Sequence, residues 1–192
     1  MKIAQSEQYQ KLFDSQGDVK NPKKAFPLLL LAAREGHANA QNLVGYCYFK
    51  GRGTERNSRS AVLWFRRAVG KNHKEAIFNL ALAYENGTGI EKDLRKAFLL
   101  YRKAALLGNP WAQSNLSVRY RNGVGTRRNL PAAVRWCRKA ALAGDAASQY
   151  NLSLCYLQGE GVTKNKRLAK NWLQKAAAQG DARARRLLKQ AE

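Results

Sequence analysis

Paired glycines are the first feature of this sequence that could support chemistry. They recur as Gly-x-Gly, for example at Gly51 and Gly53, and glycine-rich loops of this kind can wrap a phosphate group. A phosphate loop, however, follows a β-strand and ends in Gly-Lys-Ser or Gly-Lys-Thr. These pairs follow helical patterns and lack that ending. We therefore interpret each pair as the end of a helix, where glycine tolerates a left-handed backbone.

The histidines and acidic residues offer little material for a catalytic or metal site. A zinc site needs several His, Cys, Asp or Glu side chains close together, and a Ser-His or Cys-His pair needs a histidine beside its nucleophile. His37 and His73, the two histidines, both stand where a helix is expected to begin, and the acidic residues are scattered. We predict no catalytic residue, no metal and no cofactor, and we predict that the protein is not an enzyme.

The three cysteines do not form a disulfide framework, because they are odd in number and widely spaced. Free, buried thiols in a reducing compartment are the expected state. No apolar run approaches the roughly 20 residues that a membrane span needs, and the N-terminus lacks the apolar core of a secretory signal. We expect a cytoplasmic protein, or a periplasmic one if a signal peptide has been removed.

The sequence contains an internal repeat with a period of 36 residues, and the paired glycines recur at this period. Alanine, glycine and tyrosine return at this step in successive copies. A unit of this length is typical of helix-turn-helix repeats, which stack because one unit cannot bury its apolar face alone. The clearest columns are Ala40, Ala76, Ala112 and Ser148; Gly51, Gly87, Gly123 and Gly159; Gly53, Gly89, Gly125 and Gly161; and Tyr48, Tyr84, Tyr120 and Tyr156.

Each repeat is expected to contain two helices. The first begins after a capping residue such as Asn109 or Asp145 and ends at the paired glycines. The second carries small and aromatic residues at helical spacing, as in Ala61, Trp64 and Ala68. We predict an all-α fold and a single domain over 1–192. Within it, a degenerate copy occupies 1–36, full copies occupy 37–72, 73–108, 109–144 and 145–180, and a capping helix occupies 181–192.

The pattern resembles the Sel-one-like repeat, a relative of the tetratricopeptide repeat. It is clearest from residue 148, in the run Ser-Gln-Tyr-Asn-Leu-Ser-Leu-Cys-Tyr-Leu-Gln-Gly-Glu-Gly-Val, followed by Ala169, Trp172 and Gly180. The resemblance covers essentially the whole chain and is weakest over 1–36. It implies a right-handed α-solenoid that serves as an adaptor or scaffold for proteins, or, in bacteria, as an immunity protein that neutralises a toxin.

The resemblance also implies that the first helices line a concave groove for a protein segment. The residues at those positions combine amides, which bond to a backbone, with rings, which bury side chains. The alternative is that the rings cover neighbouring helices and that the asparagines are ordinary for the family. The predicted groove residues are Asn42, Tyr46, Phe49, Phe78, Asn79, Glu85, Trp111, Asn115, Arg121, Tyr150, Asn151 and Leu157.

An excess of basic residues dominates the composition. Lys and Arg number 35 against 13 Asp and Glu, which gives a net charge of +22 and attracts acidic partners. Residues 109–144 contain no acidic residue at all. The surface either binds an acidic partner or only keeps the protein soluble. The residues predicted to form it are Arg119, Arg127, Arg128, Arg135, Arg138 and Lys139.

We predict a monomeric, non-catalytic protein whose partner is another protein of acidic character. The competing hypothesis is a nucleic-acid-binding solenoid, in which phosphates contact the basic surface and affinity falls steeply with salt. Against this hypothesis, the basic columns are expected to lack the regularly interleaved aromatic residues on which bases stack.

Overall fold

The computed structural model describes residues 21–190, in which every regular element is an α-helix. The chain forms two compact units, and the boundary between them falls between Asp93 and Leu94. The first unit holds α1 (Pro22–Arg34), α2 (Ala38–Lys50), α3 (Ser58–Val69) and α4 (Lys74–Asn86). The second unit holds α5 (Leu94–Leu106), α6 (Pro110–Asn122), α7 (Leu130–Leu142), α8 (Ala146–Gln158), α9 (Lys166–Ala178) and α10 (Ala182–Lys189).

The predicted alternation of two helices per repeat is confirmed. The even-numbered helices are the first helices of their repeats, and the odd-numbered helices are the second helices. Residues 1–20 of the degenerate copy and residues 191–192 of the capping helix lie outside the described residues. The assignment of the chain to a single domain stays a prediction.

Small residues at fixed columns form the buried side of the first helices. Ala112 is fully buried on α6 and Ser148 almost fully on α8, so the backbones of neighbouring helices approach closely at these positions. Larger side chains fill the space beside them. In the second unit these are Tyr101, Leu116 and Leu152, each fully buried.

The two glycines after each first helix have different roles. The first ends the helix in the left-handed conformation, as Gly159 does at φ 75°, so the helix-end interpretation is confirmed. The second lies against the preceding second helix, because a Cβ on Gly161 would stand 2.5 Å from the carbonyl oxygen of Leu130. This glycine therefore sets the distance between repeats. The same approach, at 2.1 to 2.2 Å, brings Gly53 to Pro22, Gly89 to Ser58 and Gly125 to Leu94.

One column of polar side chains ties four of the five described first helices to the helix before them, and Ile77 stands at this position in α4. Nε2 of Gln149 donates a hydrogen bond of 3.1 Å to the carbonyl of Ala141, eight residues earlier. This carbonyl oxygen also accepts a bond from the amide of Gly144, so Gln149 adds a second bond at the end of the preceding helix. Equivalent bonds run from Gln41 to Ala33, from Gln113 to Ala105 and from Nε of Arg185 to Ala177.

The predicted caps of the first helices are present with one exception. Oδ1 of Asn109 accepts a bond of 2.8 Å from the amide of Ala112, whereas His37 makes no side-chain cap bond. A second column of caps, which was not predicted from the sequence, begins the second helices and recurs with the same period. Its members with a cap bond are Asn21, Asn57, Asn129 and Asn165.

Acid should weaken the fold through His73, by about 1 kcal/mol for loss of its cap. Its Nδ1 accepts a hydrogen bond from the amide of Ala76, which requires the neutral imidazole. Burial lowers the pKa of His73 below its usual 6.5, although Glu75 opposes this shift. The unfolded chain therefore binds the proton first, so this stability is present above about pH 6.5 and is lost as the pH falls.

Urea unfolding of His73→Asn at pH 7.5 and pH 5.0 tests this prediction. The variant should lose the pH-dependent contribution, because an asparagine caps α6 at the same column without titrating in this range. His37→Asn is the matched control, since it exchanges the same residues where no cap bond exists. An equal pH dependence in His73→Asn and the wild type would contradict the prediction.

Candidate binding surfaces

In the first unit, the predicted groove residues lie on α2 and α4. Asn42 is buried, and its Oδ1 accepts a hydrogen bond of 2.9 Å from Nδ2 of Asn79, so this pair joins the two helices. Tyr46 and Phe49 are half-buried, with Nζ of Lys50 at 6.0 and 5.4 Å from their ring centroids. The two remaining predicted residues, Phe78 and Glu85, are half-buried on α4.

In the second unit, α6 presents an exposed apolar surface. The side chain of Trp111 is 61% exposed, and Val118, two turns further along, is 40% exposed. Between them, Nδ2 of Asn115 donates a hydrogen bond of 2.9 Å to the carbonyl of Trp111. We call Trp111, Asn115 and Val118 the α6 face. It places a large ring beside a smaller apolar group on a rigid helix.

The predicted residues of α8 are more strongly engaged within the protein. The ring of Tyr150 lies beneath the guanidinium group of Arg183, with the carbon of that group 4.4 Å from the ring centroid. Tyr150 and Leu157 also pack against the cluster that α9 and α10 form around Leu173. Asn151 lines a narrow cleft beside α6 and α7. Tyr150 therefore helps to hold the last helix in place.

Arg121 forms an ion pair within the unit. Its Nε donates a bond of 3.3 Å to Oε1 of Glu160, and its Nη2 donates to Oε2 of the same carboxylate. This hydrogen bonding raises the pKa of Arg121. Arg128 approaches the same carboxylate at 3.6 Å and donates from Nε to the carbonyl of Arg121. Both arginines thus hold the glycine-bounded turn that contains Glu160.

Two of the three exposed basic residues of α7 contact aromatic side chains. Nζ of Lys139 lies 4.5 Å from the ring centroid of Trp136, and Nη2 of Arg138 donates a bond of 2.8 Å to the hydroxyl of Tyr156. Arg135 is exposed on the same side of α7. We call Arg135, Arg138 and Lys139 the α7 face. Of the other predicted basic residues, Arg127 is exposed and Arg119 is half-buried, 5.5 Å from the ring of Tyr101.

Three of the four residues in one basic column lie over tryptophan rings. The expectation that the basic columns lack regularly interleaved rings for base stacking stays a prediction. In three repeats a tryptophan lies three residues before a basic residue. Side chains at this spacing are neighbours on a helix, so the ring and the cation are in contact. Each ring is buried or half-buried and carries a cation over one face, so less of it is available to a nucleic-acid base. The pairs are Trp64 with Arg67, Trp136 with Lys139 and Trp172 with Lys175, at 4.3 to 4.6 Å.

The second unit has almost no counter-charge for its basic surface. Residues 94–190 contain 20 Lys and Arg against three Asp and Glu. Each of these three carboxylates already serves the fold. Asp145 caps α8, Asp181 caps α10 and binds Arg183, and Glu160 binds Arg121. An external anion therefore meets little competition for the remaining cations.

Within residues 21–190, no group of three or more His, Cys, Asp and Glu side chains is placed to hold a metal ion. The helices in this range are too short or too polar to cross a lipid bilayer. Cys47, Cys137 and Cys155 are free and buried. Burial raises the pKa of the Cys137 thiol to about 12.

Comparison with known proteins identifies both the repeat and the fold. The Sel1 repeat model matches residues 12–37, 38–73, 74–109, 112–145 and 146–181. A Sel1 repeat protein from Oxalobacter formigenes is 31% identical, with a TM-score of 0.90 over 100% of this chain and 56% of its own. A protective antigen of uropathogenic Escherichia coli that displays an SLR fold is 29% identical, with a TM-score of 0.87 over 95% of this chain and 39% of its own.

More distant structures share the fold alone. An immunity protein from Pseudomonas aeruginosa is 20% identical, with a TM-score of 0.57 over 95% of this chain and 67% of its own. The comparison with curated proteins found no match. The chain spans 39% and 56% of the length of the two more similar structures. These matches confirm the predicted all-α solenoid.

Proposed function

Because the chain belongs to the Sel1 repeat family, whose members are protein-interaction scaffolds, we propose that it binds a segment of another protein on its first helices. The observation that carries this proposal is the exposure of Trp111 on the α6 face. A rigid ring that remains in water in the free protein gains burial when a partner covers it. Such rings commonly dominate the binding energy of an interface.

The composition of the α6 face supports a peptide segment as the ligand. Trp111 and Val118 offer apolar contact, while Asn115 lies between them with its amide fixed by the carbonyl of Trp111. Few rotamers are lost when such a surface binds, because a tryptophan side chain has only two rotatable bonds. The charge of the second unit favours an acidic partner and speeds its encounter with this surface.

The immunity protein of a toxin is a specific form of this function. A Pseudomonas aeruginosa immunity protein with the same fold makes this form reasonable to test. In that case the partner captured from cells is a toxin, and its gene lies beside the gene for this protein. An adaptor instead captures a component of a larger assembly. The expectations of a monomer and of a cytoplasmic location remain predictions.

Trp111→Ala should weaken capture of the partner by tenfold or more, since central aromatic residues often contribute at least about 2 kcal/mol. Immobilised wild type and variant are compared in a lysate of the source organism, with and without nuclease, at ~150 and ~500 mM salt. Leu142→Ala is the matched control, because Leu142 is 68% exposed but belongs to α7.

Two results would count against the proposal. Equal capture by wild type and Trp111→Ala would exclude the α6 face as the binding surface. Recovery of nucleic acid alone, lost at the higher salt concentration, would identify the basic surface as a phosphate-binding site. Tyr150→Ala is less suitable for this test, because Tyr150 also packs against α9 and α10.

A further inference from the structure

We infer that the α7 face is a preordered site for the carboxylates of an acidic protein segment. This inference rests on the proposed function in one respect, namely that the ligand is a protein. The site itself is separate from the α6 face, since it lies on a second helix. Two neutral side chains, Trp136 and Tyr156, hold two of its three cations, Lys139 and Arg138, in place.

The contacts of Arg138 leave most of its donors available. Its Nη2 donates to the hydroxyl of Tyr156, whose ring is buried in the core beside Val134 and Cys137. The bond therefore anchors a surface guanidinium to a rigid interior residue. A guanidinium has five N–H donors, and its fork matches the two oxygens of a carboxylate. Arg138 is thus oriented before any ligand arrives.

Lys139 is ordered in a different way. Its ammonium group lies over the face of Trp136, whose ring is half-buried. The contact occupies one side of the ammonium group and leaves the other side toward solvent. Lysine and arginine normally lose much rotamer freedom when they bind an anion. Cations that are already ordered lose less, so each bound carboxylate gains more net affinity.

The same arrangement occurs in the first unit, which indicates a recurring device. Arg67 lies over Trp64 at 4.3 Å, and Nη2 of Arg66 donates to the hydroxyl of Tyr84 at 3.2 Å. The α5 helix provides a natural contrast. There Lys103 stands at the position of Lys139, but Leu100 replaces the tryptophan. Lys103 therefore carries the same charge without a ring beneath it.

An acidic protein segment fits this surface better than a strand of nucleic acid. Single-stranded nucleic acids bind by stacking bases on open aromatic faces. The ring of Trp136 is half-buried and already covered by Lys139. Carboxylates need no ring, and the α7 face offers three cations along one side of a helix. No residue of α7 itself is acidic.

The test measures binding of a fluorescent octaglutamate peptide by anisotropy at ~50 mM salt. Tyr156→Phe and Trp136→Leu should each weaken binding about two- to fivefold, although neither changes the net charge. Lys139→Gln should weaken binding more than Lys103→Gln does, although both remove one positive charge. Trp111→Ala should bind the peptide as the wild type does, so this inference and the proposed function can fail independently.

Circular dichroism and thermal melting first establish that Trp136→Leu is folded. If Trp136→Leu does not fold, Tyr156→Phe still tests the inference, because this substitution removes only a single oxygen atom. Wild-type affinity in Tyr156→Phe and in folded Trp136→Leu would overturn the inference, because bulk charge would then suffice. So would equal effects of Lys139→Gln and Lys103→Gln. Binding of a dT12 oligonucleotide without binding of octaglutamate would also overturn it.

Discussion

Gly161→Ala should lower the free energy of unfolding by about 3 kcal/mol, from a strained backbone together with a steric clash. Gly161 has φ 72°, a conformation that alanine adopts only at a cost. Its new Cβ would also stand 2.5 Å from the carbonyl oxygen of Leu130 and 2.6 Å from the carbonyl carbon. These are backbone atoms at the start of α7, so relief of the clash requires the helix itself to shift.

Gly108→Ala separates the two contributions. Gly108 has a similar φ of 80°, but no atom lies within 4 Å of a Cβ built there. This variant should lose only the conformational part, about 1 kcal/mol. Urea unfolding of both variants gives the difference, which measures the close approach between repeats. Equal losses would show that the second glycine is required for its backbone conformation alone.

Cys137 should react with iodoacetamide roughly a thousandfold more slowly in the folded protein than in urea. The thiolate is the reactive form, and burial raises the pKa of this thiol from 9.0 to about 12. Its Sγ also donates a hydrogen bond of 3.3 Å to the carbonyl of Ser148, which retains the proton. Mass spectrometry of peptides at pH 8 follows the alkylation of Cys137 separately from that of Cys47 and Cys155.

The same shift predicts how stability depends on alkaline pH. The folded chain holds the proton of Cys137 more tightly than the unfolded chain does. Its contribution is therefore complete below about pH 9 and is lost at up to ~1.4 kcal/mol per pH unit as the pH rises toward 12. Cys137→Ala should show a shallower loss over this interval. Alkylation that is equally fast in the folded protein and in urea would contradict both expectations.

The period of the sequence predicts the fold well because each column meets the same surroundings in every repeat. Ala112 and Ser148 are buried for the same reason, and Gly123 and Gly159 end their helices at nearly the same φ. Because the same pattern of helices and turns occurs in four copies, the sequence leaves few alternatives for the fold of each repeat. The second column of caps, such as Asn165, was open to the same argument and could have been found in the sequence.

The binding surfaces are harder to predict because their residues differ between repeats. Arg121 binds Glu160, but the equivalents of Glu160 in earlier repeats are Arg52, Thr88 and Val124. The contact thus depends on a residue that the repeat does not conserve. A search of the sequence for opposite charges 39 residues apart would have predicted the contact between Arg121 and Glu160.

The tryptophan and lysine pairs illustrate a different limit. Trp136 and Lys139 are three residues apart on one helix, so the sequence already contains their contact. The burial of the Trp136 ring, in contrast, could not be predicted from the sequence. That burial decides whether a nucleic-acid base can stack on the ring. Trp111 is also a tryptophan of a helix, yet it is 61% exposed. Residue type alone does not distinguish these two cases.

The bond from Gln149 to the main-chain oxygen of Ala141 has a consequence for how such a protein evolves. A hydrogen bond to a main-chain carbonyl does not depend on the side chain of the accepting residue. Unequal recombination that duplicates or deletes 36 codons in frame, between copies that carry glutamine in this column, therefore creates a new border with the same hydrogen-bonding partners. Lineages can change the length of the array in one genetic step, while the exposed positions of each copy diverge toward new ligands.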